Sequence, residues 1–381
     1  TSLLAKSLTS MHQRQADKYL KVQAECVPVK GHKRSTVCDL PREEYKLIPN
    51  DMYDFLVEYE NKLVSEIAED FEPEDLDEYL TYLENHEYIF YCEKWELELF
   101  TKIDMTYKYP GHISNLILDI GSTPAYDMAK AVEIASKLGP VNVQVRGYDV
   151  VDFTIIEQFL AQINGMRIRS VDFIIKYSEQ ITNDQIEAFC EKYKQVLSFV
   201  FHSAPFSKVD SVVIVQKIVR RIGFIEQPIL DHTACGNISP HYFNSNITFY
   251  SESQHHNTCL NQKLSIDTDG NIKNCPSMLE SYGNINEVSE EQLVEIVKSK
   301  PFQKYWNIKK DDIKICRDCE FRHICTDCRA YREDDADMYS KPLKCGYNPY
   351  IAKWNTEEGH QTVAESIADG VVSEEFVYRE K

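Results

Sequence analysis

No run of eighteen apolar residues occurs in this chain, and no charged-then-apolar stretch opens it. It therefore reads as neither membrane-spanning nor exported, and a cytoplasmic protein is expected. Basic residues are in deficit, 42 Lys and Arg against 61 Asp and Glu, for a net charge of −19. A phosphate backbone demands the opposite sign, so nucleic acid and anionic membrane surfaces are set aside as partners, and a basic peptide is the compatible one. Also missing are a Gly-rich phosphate loop, a G-x-S-x-G elbow, an H-E-x-x-H pair and any internal repeat. ATP chemistry and zinc-protease chemistry are accordingly not expected on this chain.

What the chain does have is cysteine in clusters. Seven of its twelve cysteines fall in the last third. Cys259 and Cys275 bound the segment CLNQKLSIDTDGNIKNC, Cys316, Cys319, Cys325 and Cys328 form C-x2-C-x5-C-x2-C, and Cys345 follows in KPLKCGYNPY. Two intervening residues let a tight turn aim both thiolates of a C-x2-C pair at one centre. In a reducing compartment such clusters bind metal rather than pair as disulfides. The simplest grouping sets Cys316, Cys319, Cys325 and Cys328 around one zinc ion.

The pattern resembles the SPASM domain, the cysteine-rich extension behind many radical-SAM peptide-modifying enzymes. Gly270 stands four residues before Cys275 as in that family, and C-x2-C-x5-C matches at Cys316, Cys319 and Cys325, while the next interval is x2 rather than the family's x3. The resemblance implies two [4Fe–4S] clusters. One would be held by Cys316, Cys319, Cys325 and Cys345, the other by Cys259, Cys275, Cys328 and a fourth ligand. Cys235 in HTACGN is the first choice for that ligand, and His255 or His256 in SQHHNTC the second.

The radical-SAM family carries C-x3-C-x2-C after its first barrel strand. The matching strand here is expected at Asn115–Ile120, and the loop after it, GSTPAYD, has no cysteine. After the next strand the family's Gly-Gly-Glu-Pro is replaced by Arg146, Gly147, Tyr148 and Asp149. No S-adenosylmethionine chemistry is therefore expected. A SPASM segment without the radical motif is similar to the SPASM-domain peptide maturases of grasp-with-spasm systems, over roughly residues 18–354. SESQHHNTCLNQKLSID, CEFRHICTDCRAY and YSKPLKCGYNPY carry the likeness. It implies service beside an ATP-grasp ligase on a ribosomally made precursor peptide, with two alternatives left open. One is an iron–sulfur enzyme whose incompletely ligated cluster acts as Lewis acid or redox centre, and the other is a zinc-stapled scaffold.

The expected fold class is α/β in three parts with ragged ends. Residues 1–17 read as a flexible arm and 355–381 as a polar tail with one short helix and no chemistry. In 18–107, strands in YLKVQAECVPV, RSTVCDL and EYKLIP precede helices at 51–63 and 73–84 and a closing strand YIFYCE. That order is similar to the winged-helix leader-recognition domains of peptide-modifying enzymes, which add a leader as an extra strand. In 108–232, strands NLILDI, VNVQV, VDFIIKY, LSFVFHS and SVVIV alternate with helices 126–138, 154–163 and 184–193. Parallel β/α units covered on both faces follow, as a partial barrel or a small open sheet. Arg146, Tyr148, Asp149, Lys176, His202 and Ser203 fall at carboxyl ends of strands, where such folds place ligands. Residues 233–354 form the cysteine-rich part.

Overall fold

A computed structural model describes residues 15–139, 141–215 and 218–380; most of the expected amino-terminal arm lies outside them. The chain is mixed α/β, built on one large, mostly parallel sheet. Its strands are β6 (Asn115–Ile120), β7 (Val141–Gly147), β8 (Ile168–Lys176), β9 (Val196–His202), β10 (Lys208–Val215), β11 (Ile218–Phe224), β12 (Lys263–Ile266) and β13 (Ile272–Lys273). Their order is β10-β11-β9-β8-β7-β6-β12-β13. From β11 to β12 the neighbours pair in parallel, and β10 and β13 close the two ends antiparallel.

Helices α4 (Met128–Leu138), α5 (Phe153–Gln162) and α6 (Asn183–Lys192) connect successive strands. Each begins where a side-chain oxygen satisfies a free amide of the first turn. Asp127 accepts from Lys130 N, Asp152 from Thr154 N, and Thr182 shares a capping box with Gln185. Strand side chains alternate between faces. Leu116, Leu118, Val143, Val145, Phe173, Phe199 and Phe201 join Val132, Phe159 and Ile186 of the helices in one core.

The opposite face departs from the expected apolar covering on both sides. The in-register row Lys263–Asn115–Asn142–Ser170 runs across β12, β6, β7 and β8, and Gln144, Asp172 and Ser198 continue beside it. A β-strand that must line a polar cleft alternates apolar and polar residues, and NVQVR at 142–146 does so.

β12 was not foreseen. It comes from the cysteine-rich part yet pairs with β6 from Lys263↔Asn115 to Ile266↔Leu118. The same core continues through Leu264, Ile272, Leu293, Phe302 and Trp306. Helix α8 (Glu290–Lys298) closes this side, with Leu293 and Val297 buried in the core. The main core thus runs across the expected boundary at 232/233.

The amino-terminal part divides into two small sheets around helices α1 (Asn50–Glu58), α2 (Val64–Ile67) and α3 (Pro73–Asn85). The expected strand YLKVQAECVPV breaks at Gln23–Glu25 into β1 (Tyr19–Val22) and β2 (Cys26–Lys30). β2 continues into an antiparallel meander with β3 (Ser35–Asp39) and β4 (Glu44–Ile48), whereas β1 pairs antiparallel with β5 (Ile89–Cys92). The expected helix 51–63 likewise ends at Glu58, and its last residues lead into α2. The meander lies on the cysteine-rich segment. Thr36 Oγ1 donates to Glu320 O at 3.0 Å, His32 N to Asp318 O at 2.7 Å, and Arg34 Nε to Glu320 Oε1 at 2.7 Å.

Helix α7 (Ile247–His255), started by Asn246, joins Tyr250 to the cluster that Val29 and Cys38 of the meander share with Phe321 and Ile324. The tail corrects its expected role as a polar appendage with a single helix. It forms α9 (Val363–Ala368) and α10 (Glu374–Val377), and buries Val372 and Val377 against Ile315 and Tyr350. Arg379 clasps Asp318 at 2.5 Å, and Tyr350 OH donates to the same carboxylate at 2.9 Å. A short hairpin of β14 (Tyr347–Asn348) and β15 (Lys353–Trp354) precedes the tail.

Candidate metal centres

The fold brings the clustered cysteines together in two groups. In the first, Cys316, Cys319, Cys325 and Cys345 line one small pocket with Lys310, Lys341, Tyr347 and Pro349. A 3-10 turn at Cys316–Asp318 presents Cys316 and Cys319, with Cys319 N bonded to Cys316 O at 3.0 Å. Its entry residue Ile315 has a φ of 67°, a left-handed conformation that a β-branched residue seldom adopts. Burial of Ile315 beneath Tyr350 and Val372 holds it there.

Burial pushes three thiols of this group upward. Cys325 rises to about 12, and Cys316 and Cys319 also rise. Two buried ammonium groups answer them. Burial alone would lower Lys310, but Cys316, Cys325, Asp327 and Cys345 outweigh it and hold its pKa well up. Lys341 behaves likewise beside Cys345 and Glu333.

In the second group, Cys235, Cys259 and Cys275 lie near the ammonium of the half-buried Lys263, and their proximity raises its pKa against the effect of burial. Lys263 Nζ donates to Cys259 Sγ at 3.3 Å. Cys328 adjoins Cys259, and burial lifts its thiol to about 11. Gly236, next to Cys235, has a φ of +87°, and a Cβ there would stand 3.0 Å from Cys328 Sγ. Only glycine permits this backbone to pass so close to the sulfur. Gly270 (φ +85°) turns β12 back into β13, which delivers Cys275 to the group.

Cys235 is thus in the second group. The alternative ligands are turned elsewhere, since His255 Nε2 bonds to Met105 O at 3.2 Å and His256 Nδ1 to Asn307 Oδ1 at 3.0 Å. Among the described residues no three Cys, His, Asp or Glu side chains converge on one ion. A tetrahedral zinc site with Zn–S of about 2.3 Å needs thiolates under about 4 Å apart. The simplest zinc grouping also separates, because Cys328 lies with Cys259 while Cys316, Cys319 and Cys325 share a pocket with Cys345. Two sets of four thiols, each beside buried cations, fit an anionic cluster wider than one ion.

A buried carboxylate joins the groups. Asp327, between Cys325 and Cys328, takes a bidentate pair from Arg329 at 2.6 and 2.9 Å. It also meets Lys310 at 3.3 Å and Asn257 Nδ2 at 2.7 Å. Burial would raise Asp327, yet Lys310 and Arg329 pull it below the usual range.

The second group opens onto a pocket at the carboxyl ends of β7 and β8, lined by Arg146, Tyr148, Ile174, Cys235, Tyr242 and Cys259. Here the sequence reading missed the anchor. Asp119 of β6 is buried and grips Arg146 at 2.6 and 2.8 Å, while Tyr148 OH donates to it at 2.8 Å. An aspartate inside the apolar run NLILDI was the available signal. Two of the remaining strand-end residues meet, His202 Nδ1 lying 3.1 Å from Ser203 Oγ. His202 is buried and spans Gly147 O (2.9 Å) and Ile229 N (3.3 Å), Asp149 is exposed, and Ser203 turns with a φ of 57°. Lys176 is half-buried at the end of β8.

Comparison with known proteins agrees in part. Residues 258–320, which include Cys259, Cys275, Cys316 and Cys319, match the SPASM family, an iron–sulfur cluster-binding domain. No curated protein matches the chain. Among solved structures it is similar to Streptococcus suis SuiB bound to S-adenosylmethionine, at 13% identity over 82% of this chain and 96% of that one, with a TM-score of 0.29. SuiB alone (13% identity, 81% and 96%, TM-score 0.28) and SuiB bound to precursor peptide SuiA (12%, 82% and 96%, 0.28) are also similar. No helix among the described residues is long and apolar enough to cross a membrane. The chain contains a SPASM iron–sulfur cluster-binding segment set against a large parallel sheet.

Proposed function

We propose that this chain is an accessory maturase of a ribosomally made peptide, holding two [4Fe–4S] clusters on eight cysteines. It would capture the precursor's leader through its amino-terminal part and assist a partner ATP-grasp ligase. The observation that carries this reading is the sorting of eight cysteines into two sets of four, each neutralised by buried lysine. Cys316, Cys319, Cys325 and Cys345 would hold one cluster and Cys235, Cys259, Cys275 and Cys328 the other. A cluster with a protein ligand on every iron supplies rigidity to its loops and one-electron redox capacity when bound.

The residues of the chain account for the rest. Lys310, Lys341 and Lys263 offset the charge of the thiolates, and Asp327 holds Lys310 and Arg329 in place between the two sets. At the strand ends Asp119 consumes the charge of Arg146, so this pocket offers an apolar and hydroxyl-bearing lining rather than a free guanidinium. The absence of thiols from the loop after β6 supports a role without S-adenosylmethionine cleavage.

Anaerobic purification with iron and sulfide analysis tests the metal assignment. About eight of each per chain is expected from two four-iron sites, with broad absorption near ~400 nm. Stoichiometric zinc without sulfide would replace it with the zinc-scaffold reading. Added S-adenosylmethionine with a strong reductant should yield no 5′-deoxyadenosine. The ligase should modify the precursor slowly alone and faster with this chain, and equal rates would remove the accessory role.

A further inference from the structure

The strand-end pocket has a volume of about 370 Å³, enough for a small organic molecule or one large side chain. Its walls are Tyr148, Ile174, Ile229, Ile238 and Tyr242, with Arg146 among them. Tyr242 stands at the mouth with 61% of its surface exposed, and Leu230, beside Ile229, is 74% exposed. Apolar surface left open around a concave site marks a binding place rather than a core.

The charges of this pocket are already paired. Arg146 is held along its edge by both oxygens of Asp119. Asp327, at the inner wall, is matched by Lys310 and Arg329. Asp231, on the rim, accepts from Thr233 N at 2.7 Å and caps its own turn. A carboxylate or a zwitterion entering here would lose its water and meet no free counter-charge. The pocket therefore selects an uncharged ligand.

The lining also sets the ligand's shape. A guanidinium bonded along its edge keeps flat faces, and those attract aromatic rings. Arg146 already lies over the Tyr148 ring, 5.9 Å from its centre. A further ring packs against this pair and against Tyr242 at the mouth. Gln144 precedes Arg146 by two residues on the same face of β7 and lines the pocket too. Its side-chain amide has no hydrogen-bond partner among the described residues. That amide offers one donor and one acceptor to a polar substituent on the ring.

We propose that the strand-end pocket binds an uncharged aromatic ring bearing one hydroxyl, the chemistry of a tyrosine side chain. The ring lies against Arg146, Tyr148 and Tyr242, and its hydroxyl bonds to the amide of Gln144. Its source rests on the peptide-maturase reading above, in which the ring belongs to the precursor and is held beside Cys235 and Cys259.

The test uses the metal-loaded full chain and ligand-observed NMR titrations. The probes are N-acetyltyrosinamide, its phenylalanine and leucine counterparts, 4-methylphenol and the 4-hydroxyphenylacetate anion. The tyrosine amide should bind saturably at one site per chain. The phenylalanine amide should bind about three- to tenfold more weakly for want of one hydrogen bond. The leucine amide and the anion should bind more weakly still. Gln144→Leu should erase the preference for tyrosine over phenylalanine. Tyr242→Ala, at an exposed position, should weaken both ring-bearing amides alike and leave the iron content unchanged. Equal binding of the leucine amide would overturn recognition of a ring, and tighter binding of the anion would overturn the pairing argument for Arg146. A preference for tyrosine that survives Gln144→Leu would overturn the placement of the hydroxyl. 4-Methylphenol binding as tightly as the tyrosine amide would support the ring site and assign it to a free phenol, against the peptide source. No saturable binding of any ring would overturn the proposal and leave the maturase reading to its own test with the ligase.

Discussion

The two cysteine groups have the same number of thiols and opposite surroundings. Cys316, Cys319, Cys325 and Cys345 are closed in from three sides. The β2–β4 meander bonds to Asp318 and Glu320, the tail clasps Asp318 through Arg379, and Tyr347 closes the pocket beside Pro349. Cys235, Cys259, Cys275 and Cys328 instead border the strand-end pocket, and Cys235 is exposed. Charge is balanced alike in both, by buried lysine. What differs is access. A closed group ties together the meander, the cysteine loops and the tail, so its occupancy is a matter of folding. An open group leaves one cysteine, Cys235, within reach of solvent and of whatever enters the strand-end pocket. The comparison separates a staple from a working surface within one motif.

The largest expected effect lies on the closed side. Metal binding and folding are coupled where ligands converge only in the native state. Cys319→Ala should remove one centre and also release the meander and the tail, giving a carboxyl-terminal region cut by protease at rates far above the parent. Cys235→Ala should leave proteolysis within about threefold of the parent while lowering iron in the second group. Equal protease resistance of the two variants would erase the distinction.

Next in size is the buried carboxylate between the groups. Removing Asp327 leaves Lys310 and Arg329 buried without their partner, a change that costs about 3–5 kcal/mol in comparable sites. Asp327→Ala should therefore lower the unfolding free energy by that amount, read from denaturant curves, in the metal-free and loaded chain alike. Asp119→Ala, on the open side, strands only Arg146 and the Tyr148 hydroxyl. Arg146 lies nearer solvent, so the loss should be smaller. A larger loss at Asp119 would shift the structural weight to the strand-end pocket.

Much of this was legible in the sequence, and the failures have physical causes. The β/α units from β6 to β9 were recovered within three residues, because helix caps at Asp127, Asp152 and Thr182 and alternating strands are local signals, whereas β11 was not foreseen. The pairing of β12 with β6 was not recovered, since it joins residues about 150 apart and no local pattern encodes the partner of a strand. Lys263, Lys310 and Lys341 looked like surface lysines, and only the folded position of the sulfurs reveals them as buried counter-charges. The tail failed for another reason. Its composition is polar, yet four residues, Val372, Val377, Tyr350 and Ile315, suffice to seat it. The break of YLKVQAECVPV at Gln23–Glu25 was hidden by β-forming residues on both sides, which continue equally well as one strand or two.

A third effect concerns reactivity in the metal-free chain. Alkylation by a small maleimide requires an exposed thiol. Cys235 should be modified first, and the buried Cys316 and Cys325 of the closed group at least tenfold more slowly, with peptide mass mapping as the readout. Adding iron and sulfide should protect Cys235 if it is a ligand. Unaltered labelling of Cys235 in a chain that holds about eight irons would return the fourth position to another group.

The smallest effect is a pH dependence confined to the closed side. His323 lies within it beneath Tyr250, its Nδ1 3.4 Å from Ser253 Oγ and its Nε2 3.7 Å from Asp311 Oδ1. Burial lowers its pKa to about 4, Arg322 adds to the lowering, and Asp311 opposes it. An unfolded histidine titrates near about 6.5. Between these values the unfolded chain binds the extra proton, so stability is fully present above about pH 6.5 and falls as the pH drops toward 4. The slope from this one group cannot exceed about 1.4 kcal/mol per pH unit, the limit for a single proton. Asp311, held below the usual carboxylate range chiefly by His323 and Arg322 against the effect of burial, stays ionised here, so His323→Asn should flatten the slope rather than shift it. Denaturant midpoints for parent and variant at pH 7.5, 6 and 5 decide the matter. Parallel curves would place the acid sensitivity elsewhere.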